Sequence, residues 1–297
     1  MNFEHTYAIE KSPKPAMDWK TYSQLIMGKW SNLLNQNSPI SEETVQRFLE
    51  EHPSMVPGAF NIVGPESGHY PWLCGLISQP ILPSFDHHKP DFMWLSQNSD
   101  TVEPVLIEIE APGKQWWTDS GVPTSNLRQA LDQISEWKAW FDVPHNVLEF
   151  KDVYGLSRDE WRKRRFKPAY LLIYGRSQEA NAKPNLTAKR SHLAPEDVRI
   201  RTYDHLQPNP KAAQYVCMKI KNDTGNYVFS AIHVPATMTW SPSLAEDRSL
   251  LENFDKAIES NEQILQERKE FLIRRLPYWN DWAKKPDKGL INSGDEE

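Results

Sequence analysis

Cysteine is almost absent from this chain: Cys74 and Cys217 are the two among 297 residues. Two thiols cannot build a disulfide framework or a four-cysteine zinc site, so a reducing, cytoplasmic setting is expected. Glycine is scarce too, at 12 residues, and neither a GxxxxGK[ST] nor a GxGxxG loop occurs. The common nucleotide-binding classes lose weight accordingly. No apolar run approaches the roughly 20 residues that cross a bilayer, so no membrane partner is expected. Residues 1–15 lack a basic segment followed by an apolar stretch, and no secretory signal is read there. With no nucleophile elbow and no His-rich metal motif, a small-molecule hydrolase ranks low.

What is present fits a globular chain: 39% hydrophobic and 25% charged residues exclude wholesale disorder. Lys and Arg number 34 against 40 Asp and Glu, a net charge of -6. That balance excludes a globally basic nucleic-acid coat and leaves room for a local basic groove.

Helical spacing of Trp19, Tyr22, Leu25, Ile26 and Trp30 predicts a short N-terminal helix. Ser41 caps a second helix with Glu42 and Glu43 in its first turn; it presents Val45, Phe48 and Leu49 and ends before Pro53. Residues 54–88 read as loop with short strands. Two strand-like runs follow, Lys89–Ser96 and Val105–Glu110, with the polar Gln97–Pro104 between them. Ser125 opens an amphipathic helix, Asn126 to about Phe141, with Leu127, Leu131, Ile134, Trp137 and Phe141 as its stripe. Ser157–Glu160 resembles a capping box before a short basic helix. Ala169–Tyr174 reads as a buried strand and Val198–Tyr203 as a half-buried one. A second capping box, Ser243–Glu246, starts a seven-residue series, Leu244, Leu251, Ile258, Leu265 and Leu272. It predicts one long C-terminal helix lying on the domain or on a second subunit. The chain thus divides into an N-terminal helical extension (1–40), a core (41–206) and a C-terminal extension with the long helix (207–297).

The chemistry concentrates in Pro90-Asp91 and Glu108-Ile109-Glu110. A symmetric antiparallel register sets Asp91 opposite Glu110 and Met93 opposite Glu108. Strand alternation then puts Asp91, Glu108 and Glu110 on one face and Phe92, Trp94, Ile107 and Ile109 on the other. Three carboxylates at the end of an apolar hairpin repel one another unless a proton or a cation intervenes. A divalent cation with oxygen ligands resolves this, and such a site can cut a phosphodiester. The plain alternative is that the acids sit at strand ends, solvated or paired with Lys or Arg.

The order of these pieces resembles the PD-(D/E)xK nuclease superfamily, and more closely its Shedu antiphage-defence branch. The matching segments are Glu43–Pro53, Pro90-Asp91-Phe92, Val105–Pro112, the helix with Gln129 and Gln133, Tyr170–Arg176 and Ile200–Asp204. The resemblance implies an α/β fold with a restriction-endonuclease-like core, a central mixed sheet flanked by helices. It implies a metal-dependent DNA endonuclease in which Mg²⁺ or Mn²⁺ is held by Asp91, Glu108 and the carbonyl of Ile109. Glu110 stands where the family usually has lysine, an ExE version of the site; Lys114 is the candidate substitute. Glu43 matches the acid of the first helix, and Gln133, with Trp137 four residues on, resembles a QxxxY motif.

DNA backbone contact falls to the basic run Arg162, Lys163, Arg164 and Arg165. Trp116 and Trp117 follow the acidic strand, but with 12 tryptophans in the chain core packing is the better reading. His87 and His88 read as surface residues, and Arg274 and Arg275 as solvated or helix-dipole partners. The leucine series leaves a homo-oligomer through the C-terminal helix open. The second function class is a nuclease-like fold retained as an inactive DNA-binding or assembly module.

Overall fold

The alternation of apolar residues between 92 and 109 builds the centre of the molecule. In a computed structural model, residues 8–239 and 251–284 are described, apart from 86, 88, 158–162, 183–185, 187, 188, 191 and 224. β2 (Phe92–Gln97) and β3 (Thr101–Ile109) form an antiparallel hairpin turned by Asn98, Ser99 and Asp100. Asn98 closes the turn, its Oδ1 accepting from the N–H groups of Asp100 (2.9 Å) and Thr101 (2.7 Å). β3 begins at Thr101 rather than Val105, because Glu103 and Pro104 interrupt an apolar run without ending the strand. Pro104 fits a central strand because the far edge of β3 changes partner around it. That edge pairs with β4 (Arg165–Phe166) at Val102 and with β5 (Ala169–Ile173) from Val105 onward.

Around the hairpin, the described residues form a nine-stranded mixed sheet. Its order is β6 (Val198–Arg201), β5, β3, β2, β1 (Gly75–Ser78), β7 (Val216–Asp223), β8 (Asn226–His233) and β9 (Leu251–Glu252), with β4 beside β3. β7 runs parallel to β1, so the C-terminal part of the chain extends the same sheet.

Helices cover both faces. Phe92, Trp94, Val105, Ile107 and Ile109 meet Tyr22, Ile26 and Trp30 of α1 (Trp19–Leu34) and Val45 and Leu49 of α2 (Glu42–Glu51). Met93, Leu95 and Leu106 enter the opposite core with Leu127, Ile134 and Trp137 of α3 (Ser125–Phe141) and Phe150 of α4 (Pro144–Val153). Coverage on both sides is why β3 and β5 read as continuous apolar runs. The N-caps are Asp18 for α1, Ser41 for α2 and Thr124, one residue ahead of the expected Ser125, for α3. A short α5 (Ser177–Ala182) follows β5.

The expected single C-terminal helix is instead β9, α6 (Phe254–Ser260) and α7 (Gln266–Ala283). Leu244 and the capping box Ser243–Glu246 lie outside the described residues. Asn261 breaks the helix, its Nδ2 donating to the Val234 carbonyl (2.6 Å) and its Oδ1 accepting from Gln263 N–H (2.8 Å). The seven-residue series is no zipper seam: Ile258 and Leu272 are wholly buried, but Leu265 is 63% exposed. α7 packs Phe271, Leu272, Trp279 and Trp282 into the chain's own core, which accounts for the apolar stripe without a second subunit.

Arg275, expected as a solvated group, is buried and fastens the N-terminal segment. Its Nη2 donates to the Ala8 carbonyl (2.6 Å), and Glu10 pairs with both Arg274 and Arg275. The basic helix expected after Ser157 is not formed by its described part: Lys163 and Arg164 lie in a turn and Arg165 enters β4. No helix among the described residues is long and apolar enough to cross a membrane.

Burial separates two residues that the heptad spacing treats alike. Ile258→Ala should lower the free energy of urea unfolding by about 2–5 kcal/mol, whereas Leu265→Ala should stay within about 0.5 kcal/mol of the parent. Equal losses would restore the expectation of one long helix packed along its whole length.

Candidate active site

The hairpin register decides which acids meet. The ladder pairs Phe92 with Ile107, so Asp91 stands opposite Glu108 rather than Glu110. The expected register was off by two residues, which preserves the faces because side-chain alternation has period two. Just past the last pair, Asp91 donates its N–H to the Ile107 carbonyl (3.0 Å) and accepts on Oδ2 from Ile109 N–H (2.8 Å). Its carbonyl accepts from Gln79 N–H (2.8 Å), so β1 and β3 both hold it.

Asp91 and Glu108 share a side-chain hydrogen bond, and both titrate well above the usual carboxylate range. Burial is the main cause for each. Repulsion from the neighbouring carboxylates adds to it, while the Ile109 N–H works in the other direction at Asp91. The pair therefore holds a proton between its members around neutral pH. Glu108 is buried, and its Oε2 has no hydrogen-bond partner.

Glu42 is the first-helix acid that reaches this cluster. It is half-buried, hydrogen-bonds the Glu110 side chain, and is raised by burial and by the Glu110 charge, with Lys114 opposing. Glu43, expected in that role, is exposed. Helical spacing carried the answer: Glu42 lies three and seven residues before Val45 and Leu49, on the buried face of α2.

Glu110 is 6% exposed and pairs with Lys114, whose ammonium contacts its Oε2. Ala111-Pro112-Gly113-Lys114 forms a turn, with Lys114 N–H donating to the Ala111 carbonyl (3.0 Å), and this turns the lysine back. The Glu110 backbone is fixed by its N–H to the Ile173 carbonyl (3.1 Å) and by the Tyr203 hydroxyl, which donates to the Glu110 carbonyl. Tyr203 and Glu42 are site residues that the sequence reading missed; a lone tyrosine after a strand carries no signal of this kind.

Gln133 is half-buried on α3, and its Oε1 is buried without a partner. One end of that helix is tied by Thr124 Oγ1 to the Gln115 carbonyl (2.7 Å), the other by Lys138 to Asp197 (2.7 Å). Gln133 thus lies on α3 between those two anchors. The basic run lies elsewhere: Arg165 pairs with Thr101, at the opposite end of β3 from Glu108. That separation is roughly 23 Å at about 3.3 Å per residue. Lys163 and Arg165 are exposed, Arg164 hydrogen-bonds Gln97 Oε1, and Arg162 lies outside the described residues. Trp116 and Trp117 are buried, with Arg190 and Lys189 over their rings, as core packing requires. His87 is exposed, and His88 lies outside the described residues.

Among the described residues, no group of three or more His, Cys, Asp or Glu side chains is arranged to hold a metal ion. Two carboxylates remain a fitting donor set for Mg²⁺, which takes one or two and fills the rest of its shell with water and phosphate. The donorless Glu108 Oε2 and the proton-sharing pair fit a cation; Glu110 is already engaged by Lys114.

The shared proton has a consequence for stability. Both carboxyls are raised on folding, so their contribution is complete below the ordinary value of about 4 and is lost as pH rises through the folded value. For Asp91 that value is about 7. In chelator-treated protein the thermal midpoint should fall from about pH 5 to about pH 8, and the fall should shrink in Glu108→Gln. A midpoint equally steep in both proteins would remove the pair as its cause.

The family model described as Shedu protein SduA, C-terminal, matches residues 40–207, more than half of the chain. No curated protein matches it significantly. The matched span starts just before α2 and ends past Tyr203, and so contains Glu42, Asp91, Glu108, Glu110 and Lys114. The chain belongs to the Shedu family of antiphage-defence proteins.

Proposed function

We propose that this chain is a divalent-cation-dependent deoxyribonuclease with a PD-(D/E)xK-type core, cutting DNA in antiphage defence. The observation that carries the reading is the Asp91–Glu108 pair, hydrogen-bonded across adjacent strand ends, with Asp91 half-buried and Glu108 buried and its Oε2 without a donor. A scaffold gains nothing from such a pair, because removing like charges from water is costly unless something compensates them.

Asp91 and Glu108 would hold Mg²⁺ or Mn²⁺, with the Ile109 carbonyl as a third donor. Such an ion supplies Lewis-acid polarisation of a phosphodiester and a lowered pKa for water. The chain's own residues do the rest. Asp91 and Glu108 release their shared proton as the site loads. Glu110 holds the ammonium of Lys114 through Oε2 and aims it at the cluster. Lys114 thereby supplies, from the following turn, the positive charge that the family usually places at position 110. That charge offsets the charge developing on the phosphate oxygens. Lys163 and Arg165, both exposed at the far end of β3, contact DNA backbone away from the cut.

A second reading, an inactive DNA-binding or assembly module, is favoured by glutamate at position 110 and by the distance of the basic run from the acids.

Cleavage of supercoiled and linear DNA with Mg²⁺ or Mn²⁺ decides between them. The parent should cut only with the ion, and Glu108→Ala and Lys114→Ala should each lose about 100-fold or more. Cutting that survives in Lys114→Ala but not in Glu108→Ala keeps the nuclease and removes the lysine's role. No cutting under any condition, with no Mn²⁺-dependent rise in thermal midpoint, favours the module.

A further inference from the structure

The turn that carries Lys114 is clamped by a segment that follows β5. Glu179 of α5 accepts from two successive backbone N–H groups, Trp116 at 2.9 Å through Oε2 and Trp117 at 3.0 Å through Oε1. Both tryptophans are buried, so without this carboxylate two buried donors would lose their acceptor. Charge-assisted bonds of this kind are about twice as strong as neutral ones.

Other contacts converge on the same few residues. The Tyr174 hydroxyl (2.9 Å) and Thr124 Oγ1 (2.7 Å) both donate to the Gln115 carbonyl. Gly175, at φ +61°, lets the end of β5 approach: a Cβ there would collide with Trp116 Nε1 and lie 3.1 Å from the Lys114 carbonyl. Arg190 stacks over the Trp116 ring at 4.6 Å, and Lys189 lies over Trp117 at 5.3 Å and donates to the Gly121 carbonyl (2.9 Å).

We infer that Glu179 is a positioning residue for Lys114. By fixing the backbone of Trp116 and Trp117, it sets the ammonium against Glu110, so a lysine on a loop acts with the precision of one on a strand. This rests on the reading of Lys114 as the site's lysine. The physical logic is that of a supporting contact: a charged group on a four-carbon stem is held in place only as well as the backbone beneath it.

The test is the rate at which Lys114 is acylated by an amine-reactive reagent, mapped by mass spectrometry on the full chain, with Lys138 as the internal reference. Lys138 is paired to Asp197 away from this turn. Glu179→Ala should raise Lys114 acylation at least about tenfold and leave Lys138 unchanged. Glu179→Gln, which keeps one acceptor oxygen, should fall between. Where DNA cutting is present, the pH profile of its rate should shift in Glu179→Ala and move back in Glu179→Gln. An unchanged Lys114 rate in both folded variants overturns the inference, as does an equal rise at Lys138, which would mark general loosening. Because labelling needs no turnover, it decides this point even if the protein cuts no DNA, and a failed nuclease reading is seen separately.

Discussion

The pairing of β2 with β3 is the contact on which the rest of the molecule depends. It is local, closed by the Asn98 turn, and it lies in the centre of the sheet; β1 and β5 add to its two edges. Once its register is fixed, every side chain on both strands has its face. Apolar residues then enter two cores, and the three acids at its open end are left on one face with nowhere apolar to go. Helices on both sides cover that end, and burial raises the titration of Asp91 and Glu108.

Electrostatics at that end is a balance of three devices. A hydrogen bond between Asp91 and Glu108 joins a half-buried carboxyl to a buried one, and burial raises both. The Ile109 N–H gives Asp91 a fixed donor. Lys114 compensates Glu110 through a turn, with Pro112 and Gly113 supplying the reversal. Position 110 holds an acid, and the compensating cation arrives from four residues downstream. The ammonium's place therefore depends on a loop, and hence on the groups that hold the loop.

Much of this was legible beforehand. The capped α2, the amphipathic α3 and the apolar β5 follow from periodicity and capping, which are local properties. The order of Pro90-Asp91, Glu108-Ile109-Glu110 and the helices around them carried the family resemblance. Among the expectations that failed, two show the physical reason most directly. The β2–β3 register was misjudged because Glu103 and Pro104 look like loop residues; a change of strand partner admits the proline, and Ile62 N–H, donating to Glu103 Oε1 at 3.1 Å, admits the acid. The C-terminal leucine series suggested one helix, whereas Asn261 finds a distant carbonyl, that of Val234, and stops it.

The sequence by itself determined that acids would gather at the end of an apolar hairpin, because alternation depends only on neighbouring residues. It offered Lys114, past the turn at Pro112-Gly113, as a candidate neighbour, and the fold set its ammonium against Glu110. Only the tertiary structure decided that Asp91 meets Glu108, that Glu42 rather than Glu43 joins them, and that the basic run lies at the other end of β3. Tyr203 and Glu179 belong to the same class: their partners lie 93 and 63 residues away, and no local pattern encodes a contact that depends on how separate strands and helices come to lie side by side.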